Sequence, residues 1–368
     1  DFDRAIESYR TLADSDRFTK SKEPKIVEWR EGALINAAKI LEYQQQYARA
    51  ADYYGRAADI LRDPADQRMA RYKVAEMAFK LQQWGKAVSA LRAFITRYQS
   101  DKQAGELVVQ AYARIAEVRK AQASMGEYKV ARKDVISAFA RSGQAPGSFA
   151  AEYAANAQFE EIDEVGHDFE SFSIKAGKPA TLDGYVKGVA SQIETGSHEA
   201  KTKAEAYNVV PTYRRPTWTI AAFVRQGRIY EILAKAVLNT PFVVPADLQK
   251  KMHGLPADSQ DQIKTQVEDT IRQLLDSKVR PIECLAVGRY ALAARAARAG
   301  SIDNQYTRET FDRINAYGDE RIAECIAQVA AQDSTFQAYQ VGEFKRAPRG
   351  MDLGMQAGVA PPPLAGAP

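Results

Sequence analysis

Three features of the 368-residue chain predict an all-α fold. Apolar residues recur at helical spacing along most of its length. Proline is scarce in the body and clusters at the end, where 361–363 reads Pro-Pro-Pro. A four-residue stripe also returns four times, as Phe2-Ala5-Tyr9-Leu12, Tyr47-Ala50-Tyr54-Ala57, Trp84-Ala87-Leu91-Phe94 and Tyr128-Ala131-Val135-Ala138. Its 3-4-3 spacing puts each set on one face of a helix, and the alanine marks a place where a second helix comes close. The copies lie 45, 37 and 44 residues apart, the range of helical-hairpin arrays. The prediction is an all-α helical-hairpin solenoid that continues into a further α-helical domain.

The elements follow in order. The stripe at Phe2 has no partner helix before it, so the chain is expected to begin partway through a repeat, and any signal sequence would lie outside it. A first hairpin runs over 25–61, with Leu34, Ala37, Ala38 and Leu41 on its first helix and a stop near Asp63-Pro64. A second covers 66–98, where Ala70, Val74, Met77, Ala78 and Leu81 face the Trp84 helix. A third spans 103–139, with Val108, Tyr112, Ile115 and Val118 inward and Gly126 as its left-handed turn residue. Residues 142–148 break the pattern and read as a hinge. This gives repeats over 1–141, a second helical domain over 149–334 and a Pro/Gly-rich, flexible tail over 335–368.

In the second domain, helices are expected at 149–172 and 181–207, and again from Trp218 through Leu233. Three more are expected at 259–276, 281–298 and 307–331. Pro281 suits a first helical turn, and Gly300 suits the stop after Arg298.

The hairpin spacing resembles the tetratricopeptide repeat family. Gly126-Glu127-Tyr128-Lys129-Val130-Ala131 matches the opening of that family's second helix, and Trp84 and Tyr47 match it without the glycine. The intervals exceed the family's usual period of about 34 residues. The stretch from Ala90 to Tyr98 is similar to bacterial envelope members, the TolA-binding and outer-membrane-assembly lipoproteins, with Gln99 in place of their closing proline. The Trp218-Thr219-Ile220-Ala221-Ala222 and Arg225-Gln226-Gly227-Arg228-Ile229-Tyr230-Glu231 blocks resemble repeat proteins of gliding and predatory delta-class (myxobacterial) bacteria. The resemblance implies a right-handed superhelix with a concave groove lined by the first helix of each hairpin. There, Ile35, Asn36, Lys39 and Tyr43, then Tyr72, Glu76, Phe79 and Lys80, are the candidate partner contacts. Asn36 and Lys39 resemble the polar and basic residues that grip peptide backbones and carboxylates, and the aromatics are candidate apolar anchors. For each, inter-repeat packing or a solvated surface is the competing reading.

Other chemistry is thin. The 51 basic and 47 acidic residues are interspersed, without the dense basic stripe of a nucleic-acid binder. No run of about 18 apolar residues suggests a membrane span. His167, His198 and His253 lack zinc-site spacing. The acidic run Glu160-Glu161-Ile162-Asp163-Glu164 is expected to be a solvated face rather than a cation site. No phosphate-binding glycine loop or nucleophile elbow occurs, so neither catalytic residue, cofactor nor metal is expected. Arg214-Arg215 is a secondary candidate contact. Cys284 and Cys325 meet if their helices form a hairpin around 300–306, which leaves a disulfide or two buried free thiols open.

The resulting expectation is a non-enzymatic scaffold or adaptor that binds peptides or partner domains in a bacterial envelope or motility complex, periplasmic or envelope-associated. A cytoplasmic location is the alternative. As function, the alternative is the recognition arm of a larger enzyme whose catalytic part lies upstream.

Overall fold

The computed structural model describes residues 2–331, 336, 339 and 341–345. Among them are fifteen α-helices and no strand, with helices packed on sequential neighbours as in helical-hairpin arrays. The chain divides into two compact units, Asp1–Gln158 and Phe159–Pro368.

The first unit contains α1 (Phe2–Asp14), α2 (Asp16–Thr19), α3 (Pro24–Tyr43), α4 (Tyr47–Ile60), α5 (Pro64–Lys80), α6 (Trp84–Tyr98), α7 (Gly105–Ala121) and α8 (Met125–Ser142). Helices α3, α5 and α7 are the first arms of three hairpins; α4, α6 and α8 are the second arms. Pro24 and Pro64 occupy first-turn positions, where a missing N–H costs nothing. Each first arm closes in the same way. One residue turns left-handed, namely Gln45 (φ 60°), Gln82 (φ 56°) or Ala123 (φ 54°). The next amide then reaches back to a carbonyl in the preceding turn: Gln46 to Leu41 at 2.8 Å, Gln83 to Ala78 at 3.0 Å, Ser124 to Arg119 at 3.0 Å. This is a Schellman-type closure.

Aligning the hairpins on that turn corrects two expectations. Gly126 is not the left-handed residue; it lies inside α8, and Ala123 takes that conformation instead. Met125, not Tyr128, stands in register with Tyr47 and Trp84, each two residues past the turn. Tyr128 takes the place of Ala50 and Ala87, and all three are buried. The uneven aromatic intervals therefore conceal a steadier array, whose first arms open at 24, 64 and 105. At the chain start, Phe2 remains half-exposed, against the Tyr43 ring at 5.6 Å.

Residues 142–148 form a turn in which Gly143 and Gly147 have positive φ, before α9 (Phe149–Gly166). The division between units falls later than expected, inside α9. Ala150 and Ala157 join the first unit's core, whereas Phe159 joins the second's.

The second unit is built around α11 (Pro216–Leu238). The long α13 (Ala257–Ala299) packs along it, with α10 (Leu182–Ala206) and α14 (Gln305–Asn315) also against α11; α15 (Asp319–Ala330) packs on α13. The short α12 (Ala246–Met252) opens with the Ala246 and Asp247 amides bonded to the Pro179 and Ala180 carbonyls. Gly227 is required where α11 and α13 cross, because a Cβ there would stand 2.5 Å from the Tyr290 ring. The separate helices expected at 259–276 and 281–298 are one helix. Its inward seam, Ile271, Leu275, Val279, Ile282 and Ala286, runs unbroken past Pro281. Packing thus outweighs the lost backbone bond, and Ser277, whose carbonyl the proline frees, is exposed to water. The single helix expected at 307–331 is two, because Gly318 at φ 79° breaks it. Gly300 has an ordinary right-handed φ of −92°. The left-handed residue is Ser301, in the same closure that ends the three first arms.

The disulfide exists: Cys284 and Cys325 join α13 to α15 with Cα atoms 4.5 Å apart, so the free-thiol alternative is set aside. Packing also continues beyond residue 335. Phe336 and Phe344 are buried, and Tyr339 lies between them with ring centroids 5.2 and 5.8 Å away. The Arg295 guanidinium covers the Tyr339 ring at 4.4 Å. The rest of the expected tail, at 335, 337, 338, 340 and 346–368, lies outside the described residues.

Candidate functional site

The face carried by α3, α5 and α7 holds a ladder of charges. Glu42 on α3 accepts from Lys80 at 2.6 Å and Lys73 at 3.1 Å, both on α5, and from the Tyr54 hydroxyl at 2.7 Å. Lys73 also donates to Glu76 at 2.6 Å. Arg114 on α7 stands 3.9 Å from Glu76 and donates to Glu117 at 2.6 Å. Burial alone would raise the Glu42 pKa, but the hydrogen bonds from Lys80, Tyr54 and Lys73 outweigh it and hold the carboxyl below its ordinary value. Burial and the neighbouring Glu42 push the Tyr54 hydroxyl well above its ordinary range.

This arrangement sorts the eight candidate groove residues. Tyr72 is only 2% exposed, edge-on to Phe94 at 5.7 Å, so it packs the core and cannot anchor a partner. Ile35 is half-buried against the core of the first hairpins. Phe79 is half-buried, edge-on to Trp84 at 5.6 Å with Arg114 over its face at 5.1 Å. Glu76 and Lys80 are held inside the ladder, and Lys80 also sits 5.4 Å from the Tyr47 ring centroid. Reversing Lys80 to glutamate would set a like charge beside Glu42 and disturb the fold. Asn36, Lys39 and Tyr43 remain exposed, Tyr43 by 77%.

Those three share a register. Counting back from the left-handed residue, Asn36, Lys73 and Arg114 are equivalent, as are Lys39, Glu76 and Glu117. On α5 and α7 these positions form a basic–acidic pair three residues apart, each at 2.6 Å. On α3 the basic member is asparagine and the acidic member is lysine. The pair that closes on itself in two hairpins is therefore replaced in the first by an amide and an exposed cation, with Tyr43 one turn beyond Lys39. The ladder members Glu42, Lys73, Arg114 and Glu117 were not among the sequence candidates. Alignment on the turns, rather than on the aromatics, is the signal that reveals them.

The second unit has its own polar network. Asp163 accepts from Arg225 at 2.8 Å and from the Tyr207 hydroxyl at 2.9 Å. Glu231 accepts from Lys235 at 2.6 Å, Arg313 at 2.7 Å and the Tyr290 hydroxyl at 2.8 Å. Arg313 also donates to Glu309 at 2.8 Å. Burial would raise the Glu231 pKa, yet these donors and the Arg313 charge hold it below its ordinary value. The Arg225 to Glu231 block is thus accounted for by packing and ion pairing. Gln226, 1% exposed, donates to the Ala204 carbonyl at 2.9 Å and to Asn208 at 2.8 Å. Asp163 belongs to this network, so the acidic run 160–164 is not wholly a solvated face.

His167, His198 and His253 are exposed, and among the described residues no three His, Cys, Asp or Glu side chains converge as a metal site. Arg215 caps α11 through its carbonyl, which accepts from Trp218 at 3.1 Å and Thr219 at 3.0 Å. Among the described residues no helix is long and apolar enough to cross a membrane. No protein-family model matches the chain, and neither does any curated protein.

Proposed function

We propose that this chain is a non-enzymatic scaffold of tetratricopeptide type that holds an acidic peptide segment or terminal carboxylate of a partner on α3. One observation carries this reading: Asn36 and Lys39 are exposed and uncompensated in the register where α5 and α7 carry self-neutralising pairs. A lysine ammonium beside an amide suits a carboxylate and the backbone next to it. Tyr43 adds a large apolar surface with little side-chain entropy to lose. The neutralised ladder beside them keeps the platform rigid, so binding orders little of the scaffold. An oxidising compartment, such as a bacterial envelope, suits the Cys284–Cys325 bond.

A photoreactive residue placed at Tyr43 in the full chain would capture the partner in the native cell. The captured partner, once purified, is then titrated calorimetrically against the wild type and Lys39→Glu. Affinity at least tenfold weaker in the variant is the expected outcome. Equal affinity for both proteins would remove α3 as the binding surface.

A further inference from the structure

Helices α10 and α13 both run antiparallel to α11, and so parallel to each other. On α10 the Tyr185 hydroxyl donates to the Pro241 carbonyl at 3.1 Å, just past the end of α11, and Gly196 lies against Leu233. On α13 Arg272 donates to the Leu238 carbonyl at 3.5 Å, and Tyr290 lies against Gly227. Between the two helices is a cleft of about 290 Å³ with apolar walls, formed by Tyr185, Val189 and Ile193 on α10 with Ile271 and Leu275 on α13. Its charged residues, Glu194 on one wall and Lys278 on the other, stand together at the end away from Tyr185 and Ile271. At about 1.5 Å per residue the trough is roughly 10–14 Å long. Both charges are exposed, and neither has an ion-pair partner among the described residues. At the Tyr185 end the charges are satisfied, since Arg272 pairs with Glu268 at 3.0 Å.

We propose that the cleft receives the alkyl chain of a zwitterionic, single-chain amphiphile, with its anionic group on Lys278 and its cationic group on Glu194. Helix walls hydrogen-bond their own backbones, so a peptide laid between them would leave amides unpaired, whereas a hydrocarbon has none to satisfy. The volume lies at the small end of the range for ligand clefts, about 300 Å³ upward, which suits one chain rather than two. A carbon–carbon bond of about 1.5 Å advances an extended chain by roughly 1.25 Å per methylene, so about ten carbons fill the trough. Elsewhere on the same two helices lysines close on acids of their own helix, Lys187 on Asp183 at 2.8 Å and Lys264 on Asp261 at 3.0 Å. Glu194 and Lys278 instead face each other across the mouth without pairing. A head group carrying both signs satisfies both. A purely anionic head would meet Glu194, and a purely cationic one would meet Lys278.

Calorimetric titration of the full chain with decylphosphocholine, kept below the concentration at which it forms micelles, tests this. Binding should be at least tenfold tighter than that of decyl sulfate or decyltrimethylammonium. Across shorter and longer phosphocholines it should rise by up to about fourfold per methylene and level off near about ten carbons. Ala190→Leu, at an exposed position within the trough, should weaken binding at least tenfold while the helical circular dichroism stays unchanged. Lys278→Glu, also at an exposed position, should move the preference to decyltrimethylammonium. Absence of binding to the wild type, an affinity indifferent to Ala190→Leu, or an unchanged head-group preference in Lys278→Glu would overturn the proposal. A concentration-dependent dimer of the wild type that Ala190→Leu dissociates would also overturn it, and would assign the cleft to a second copy instead.

Discussion

Breaking the Cys284–Cys325 bond should destabilise the second unit and leave the first untouched. The bond spans 41 residues of sequence, and the loop it closes contains the end of α13, all of α14 and most of α15. Loop-closure entropy for that length amounts to about 4 kcal/mol at room temperature. Both side chains are buried, so Cys284→Ser with Cys325→Ser also places two hydroxyls in the core and adds to the loss. Reduction of the wild-type bond isolates the entropic part. A probe for each unit is at hand: Trp218 lies in the second unit, and Trp29 and Trp84 lie in the first. In a chain with both first-unit tryptophans replaced by phenylalanine, urea unfolding is followed by Trp218 fluorescence with and without a phosphine reductant. The transition should lose about 4 kcal/mol, equivalent to roughly 10 °C in a thermal scan for a unit of this size. A first-unit probe should report no change. A loss below about 1 kcal/mol, or an equal shift in both units, would refute the view that the bond acts by tying α15 to α13.

Gly227→Ala gains up to about 1 kcal/mol of helix propensity, yet its methyl would press on the Tyr290 ring, which is fully buried and held by Glu231. A net loss of about 1–3 kcal/mol is expected from overpacking, read by the same Trp218 transition. Glu42 gives a dependence on acidity. Its folded pKa lies below the ordinary 4.5, so its contribution is complete above that value and disappears as pH falls through the folded pKa. Glu42→Gln should therefore weaken the first unit at pH 7, and the deficit should shrink as pH drops below about 4.5. A deficit that is constant with pH would mean that the carboxylate charge is not what Lys73 and Lys80 require.

The fold class was legible because it depends on apolar periodicity, which burial enforces along every long helix here. What escaped was decided elsewhere. The continuity of α13 past Pro281 depends on the partner helix that receives Ile271 to Ala286, and a partner is invisible in local sequence. The break at Gly318 was in plain view, but the apolar pattern of 307–331 masked it. The left-handed turns fall on Gln45, Gln82 and Ala123, residues with no special preference for that conformation, so only backbone geometry identifies them. In the candidate site, the exposure of Asn36, Lys39 and Tyr43 was legible because exposed positions follow from helix phase. Tyr72 and Lys80 are occupied by partners on other helices, Phe94 and Glu42, and Glu76 by Lys73 one turn before it on α5.

In an array of like hairpins, a charge is informative only against its counterparts in the other hairpins. Glu76 and Lys80 resemble binding residues when each is considered alone, yet Lys73 on the same helix neutralises the first and Glu42 on α3 the second. Lys39 looks unexceptional until it is set beside Glu76 and Glu117, whose place it holds with the opposite sign. Replacing Lys39 by glutamate and Asn36 by lysine would restore on α3 the pair that α5 and α7 carry. That pair contributes a few tenths of a kcal/mol to the helix, so the doubly changed chain should be at least as stable as the wild type. If α3 is the binding surface, the same chain should have lost its partner. Stability retained with affinity lost is an outcome that a residue kept for folding alone would not produce.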